Sequence, residues 1–88
     1  MRAEDILPDT VNEGLVNGMT VRKGSVGAFL ANARILSDPA ATAEDRATAE
    51  RDIADGLPGL RALGLFDVLQ IRDERLRAFV AAHTSSAI

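Results

Sequence analysis

The chain has no cysteine, no tryptophan and no tyrosine, and it has one histidine and one lysine. Each shortage removes chemistry. Without cysteine there is no disulfide, no thiolate nucleophile and no Cys-ligated zinc or iron–sulfur site. Small secreted domains usually lean on disulfides, so their absence favours a reducing interior. The lone histidine, His83, has no second histidine, cysteine or tyrosine to join it as a metal ligand or in a triad. It sits at the edge of an apolar stripe and reads as a helix-end histidine, favourable at the negative end of the helix dipole. The three phenylalanines all fall in apolar stripes and leave few rings for stacking on bases. The longest run without a polar residue, 26–31, is far shorter than a membrane span. The opening MRAEDILPD lacks the apolar core of a signal peptide. The expectation is a cytoplasmic protein, and nine arginines against one lysine, with abundant alanine, suggest a bacterial one.

What is present is mostly aliphatic. Hydrophobic residues make up 47% of the 88, which is the length of one domain, 1–88, with flexible ends expected at 1–5 and 84–88. A body of this size buries only about 60–65% of the surface its unfolded chain exposes. So much aliphatic side chain can outrun a single small core, which makes a contact between subunits an expectation from composition alone.

Charge is unevenly spread around a net of −3. Residues 1–18 and 38–55 are acidic, whereas 19–37 carry Arg22, Lys23 and Arg34 and no acid. An acidic total argues against a general nucleic-acid binder.

Along the chain, Asn17-Gly18 between apolar residues predicts a β-hairpin pairing 14–16 with 19–21. The competing reading of 10–18 is a short helix opened by a Thr10–Glu13 capping box. Ser25 is placed to cap a helix whose Val26, Phe29, Leu30 and Ala33 share one face, ending at Ser37-Asp38-Pro39. Residues 42–56 predict a second helix, capped by Thr42, ended by Gly56 and thin in apolar side chains, so the most solvated of the set. Pro58 and Gly64 bracket a short third helix. Phe66, Val68 and Ile71 are β-prone and precede Asp73, a natural N-cap, so 66–71 reads as a strand and about 74–83 as the last helix. The fold expected is α+β: an N-terminal β-hairpin and one further strand packed with three to four helices. The alternative, should the strands fail, is an all-α bundle.

The loop at 22–27, Arg-Lys-Gly-Ser-Val-Gly, resembles in outline the phosphate loops that join a strand to a helix start. Its order fits neither the Walker nor the dinucleotide pattern. The plainer reading is that Gly24 turns the chain, Ser25 caps and Gly27 permits close packing. As a recognition patch it would comprise Arg22, Lys23, Ser25, Gly27 and, further along, Arg34. No serine stands in a nucleophile-elbow setting, and adjacent carboxylates such as Glu44-Asp45 do not converge on one helical face. Neither a cofactor nor a metal is expected.

The most apolar segment is 57–71. A strand apolar on both sides is usually covered on both, so Leu65, Phe66, Val68 and Leu69 are the candidate dimer contact. The sequence thus points to a non-catalytic protein that works by protein–protein contact, in a homodimer or with another protein. An anion or nucleic-acid binder using 22–27 is the alternative, and a small enzyme ranks below both.

Overall fold

The computed structural model describes residues 13–16, 19–22 and 24–83. The expected loose ends, the Asn17-Gly18 turn and Lys23 lie outside them. Strands β1 (Glu13–Val16) and β2 (Met19–Arg22) pair antiparallel, Glu13 opposite Arg22 and Val16 opposite Met19. Four helices follow: α1 (Ser25–Ser37), α2 (Ala43–Leu63), α3 (Leu65–Val68) and α4 (Glu74–Ala82).

The α+β expectation is overturned. The protein is mostly helical and fits an all-α fold. Among the described residues the only ladder is the two-stranded one, and no third strand joins it. Two paired strands of four residues cannot form a layer with a core of their own. The expected strand at 66–71 is instead the single turn of α3, followed by an extended segment from Leu69 that joins no ladder among the described residues. A strand needs a partner edge, and the hairpin, which lies against α2, takes no residue of 66–71 into its ladder.

Helix α1 begins at Ser25, not after it. Gly24 holds the N-cap position with φ 85°, in the left-handed region, and Ser25 is the first helical residue. Gly24 O accepts the Ala28 N–H at 2.9 Å. The helix ends where Asp38 turns extended ahead of Pro39, and the Asp38 carboxylate accepts the Ala40 N–H at 2.8 Å to shape the turn. Thr42 then caps α2, its hydroxyl accepting the Asp45 N–H at 3.0 Å, with Glu44 and Asp45 in the first turn as the dipole favours.

The expected break at Gly56 does not occur. Helix α2 runs through Gly56 and Pro58 to Leu63 and ends at Gly64, whose φ of 82° supplies the left-handed cap. Packing explains the continuity. Ala49, Ile53, Leu57 and Leu60 stand at i, i+4, i+8 and i+11, one unbroken face, and each is only 1% exposed. Full burial of an aliphatic side chain of this size stabilises by about 1.5–3 kcal/mol. Three such side chains spanning the Gly-Leu-Pro stretch outweigh the cost of one proline. Far from being the most solvated helix, α2 supplies four of the six buried residues among those described, the others being Phe29 of α1 and Val80 of α4.

Helix α4 closes the core. Asp73 caps it, accepting the Leu76 N–H at 2.8 Å. Its far end is held by Arg61 of α2, whose guanidinium donates to Val80 O at 3.1 Å and His83 O at 3.3 Å. A cation on the last carbonyls of a helix is the arrangement its dipole favours.

Candidate functional site

Helix α1 divides its apolar face between two neighbours. Phe29 points into the core, 8% exposed, with Leu36 packed beside it. Val26, Leu30, Ala33 and Ser37 follow at i, i+4, i+7 and i+11 and form a second line displaced around the helix. That line is one wall of a groove of about 380 Å³. The other wall is α3 and the extended segment after it, through Leu65, Phe66, Leu69 and Ile71, with Leu76 at the far end. Phe29 and Phe66 meet at the floor edge-to-face, centroids 5.8 Å apart and planes at 71°, the geometry that aligns a ring's positive edge with its neighbour's negative face.

The groove is apolar and open. Leu30 is 54% exposed and Leu69 59%, both unusual for leucines that face each other's element. Its polar lining is confined to Ser37, Gln70, Arg72 and Asp73. The Ser37 hydroxyl donates back to Ala33 O at 3.2 Å, and the Asp73 carboxylate is engaged in capping α4. Arg72 is exposed on one rim, and Arg34, one turn past Leu30, is exposed beyond the α1 wall. Neither arginine takes part in an ion pair among the described residues; the one close pair there joins Arg77 to Glu74 at 4.0 Å.

The expected contact residues fall into three environments. Leu65 and Leu69 line the groove. Phe66 lines it too, but is half-buried against the core and serves as its floor. Val68 is 82% exposed and borders a separate cleft with Arg77 and Ala81. The sequence reading missed Val26 and Leu30 as surface residues, because it assigned the whole stripe 26, 29, 30, 33 to one core. The signal was its width: with Ser37 and Leu36 it spans more of the helix than one neighbour can cover.

The residues of the expected basic patch are spread from the end of β2 along α1. Arg22 ends β2, Lys23 lies outside the described residues, and Ser25 is half-buried in a hollow with Asn32, Asp52 and Gly56. Gly27 is exposed with open space where a side chain would be. Arg34 stands nine residues beyond Ser25, about 14 Å along the axis at 1.5 Å per residue. His83 is half-buried, its Nδ1 2.8 Å from Phe79 O and its ring 4.4 Å from that of Phe79.

One further cleft, polar and of about 500 Å³, is lined by Arg46, Glu50 and Arg75 near the α1–α2 turn, where the Arg46 guanidinium donates to Asp38 O at 2.9 Å while its Nε is buried without a partner. Its mixed charges select for no one class of ligand. Among the described residues no helix is long and apolar enough to cross a membrane. No family model, no curated protein and no solved structure matches the chain.

Proposed function

We propose that this protein is a non-catalytic contact module that binds another protein chain through the groove between α1 and 65–76. One observation carries the reading: three of the five exposed large aliphatics among the described residues, Val26, Leu30 and Leu69, line one continuous apolar groove, whereas Leu15 and Val68 lie apart from it. A contiguous apolar surface of this kind marks an interaction site, whereas scattered exposed leucines do not. A second copy of the chain is one candidate occupant, as the composition suggests. The anion-binding alternative has less behind it, since Arg34 stands about 14 Å from the helix start it would have to serve.

The test is a photo-crosslinking residue at position 30, compared with the same residue at position 48, exposed on the outer side of α2. Discrete protein adducts at 30 and none at 48 are expected in cells producing the full chain. Adduct mass separates a second 9.3 kDa copy from a different protein. Equal or absent adducts at the two positions would remove the reading.

A further inference from the structure

The groove's shape and its rim charges together narrow the occupant, on the premise that the groove is the contact surface. Its walls are a helix line and a short extended segment that joins no ladder among the described residues, with an apolar floor. Such a site takes a rod of side chains, the mode in which an amphipathic helix lays its apolar line into a hydrophobic groove. The rims are basic. Arg34 and Arg72 are exposed and without ion pairs among the described residues, and the one acid in the lining, Asp73, already holds the Leu76 N–H. Helix α1 carries no acid anywhere along its length.

We propose that the groove binds a single amphipathic helix of another protein, its apolar line on Leu30, Phe66 and Leu69 and acidic residues along its flanks facing Arg34 and Arg72. A second copy fits less well. A twofold that set groove against groove would gather Arg34 and Arg72 of both copies along one seam, with only the engaged Asp73 carboxylates to offset them, and like charges across an interface are costly. The acidic outer side of another copy's α2 has charge of the right sign but no large aliphatic line there, because Ile53, Leu57 and Leu60 are spent on the core.

The experiment is a displayed library of helical peptides with a fixed apolar i, i+3/i+4, i+7 line and randomised flanks. It is selected on the full chain and counter-selected on Leu30→Arg, with Leu69→Arg as a second control; circular dichroism confirms that both variants are folded. The expected winners carry net acidic flanks. Their affinity falls about fivefold in the Arg34→Glu/Arg72→Glu double variant, two exposed pairs each contributing about 0.5 kcal/mol, and falls with added salt. Leu30-dependent winners with neutral or basic flanks would overturn the acidic helix and leave the groove standing. An absence of any Leu30-dependent winner would overturn both. A dimer by light scattering that Leu30→Arg converts to monomer would assign the groove to a second copy instead.

Discussion

Gly64 carries more constraint than its size suggests. It ends α2 and starts α3, with φ at 82°, and its carbonyl accepts the Asp67 N–H at 3.1 Å. An L-residue in the left-handed region costs about 1–2 kcal/mol, and a side chain there would meet the Asp67 carboxylate at 3.5 Å. Gly64→Ala is therefore expected to lower stability by about 1–2 kcal/mol, and the melting temperature by about 4–8 °C per kcal/mol. An unchanged melting temperature would show that the α2–α3 joint relaxes out of this conformation. Phe66 supports a sharper contrast. As an interface residue, Phe66→Asp should separate chains and leave each folded. As the ring beneath the groove, packed on Phe29, it should unfold them, because an unpaired carboxylate would enter a half-buried apolar site. Loss of about 3 kcal/mol or more in urea titration is expected, against less than about 0.5 kcal/mol for Leu30→Arg at its exposed position. Comparable losses in the two variants would mean that the groove wall and the core are one packing unit.

Helix α2 tests how local signals compete with burial. Pro58 sits inside it, on the exposed side, and leaves the Ala54 carbonyl without its intrahelical donor. Proline in a helix interior is about 3 kcal/mol less favourable than alanine, offset in part by the roughly 0.4–1 kcal/mol that it saves by stiffening the unfolded chain. Pro58→Ala is accordingly expected to stabilise the protein by about 2–2.5 kcal/mol and to give an exchange-protected amide at position 58. A loss of stability would show that the core requires the bend that proline imposes. The same helix shows what was legible in the sequence. Thr42, Asp73 and Gly64 are read correctly because a cap is a local device: one side chain or one φ angle satisfies backbone groups two or three residues away. Gly56 and Pro58 mislead for the converse reason. As breakers they weigh about 1 and about 3 kcal/mol, and the line Ala49, Ile53, Leu57, Leu60 outweighs them only because Phe29 and Val80, distant in sequence, close over it. Residues 66–71 fail in the same way. Their β-prone side chains needed a strand edge that only the tertiary arrangement could provide or withhold. Of the groove, Leu65, Phe66 and Leu69 are foreseeable as the apolar excess of the chain, whereas Leu30 becomes visible only once Phe29 is seen to take the core-facing share of α1.

For the molecule as a whole, these energies are not evenly distributed. The helical body has one cluster in which Ile53, Leu57 and Leu60 are almost wholly enclosed, with Leu36, Leu76 and Phe79 packed around it. The hairpin is a ladder of four residues a side, and its Leu15 is 76% exposed. A two-stranded hairpin is marginal by itself, so its persistence depends on the surface it covers along α2. Opening it need not separate Phe29, Ile53, Leu57, Leu60 and Val80, whereas opening α2 does. Native-state hydrogen exchange should therefore resolve two levels. The ladder amides of β1 and β2 should exchange through a low-energy opening insensitive to mild urea, and the amides around Leu57 and Leu60 only through global unfolding, with the full urea dependence. Substitution in the core separates the levels further. Ile53→Ala, expected to cost about 2–5 kcal/mol, should lower protection at Leu57 by that full amount. At the ladder it should do so only once the global free energy has dropped to the level of the local opening. If the ladder amides instead track those of α2 in the parent and in Ile53→Ala alike, the hairpin belongs to the same cooperative unit as the core, and the division into a helical body and an appended hairpin fails.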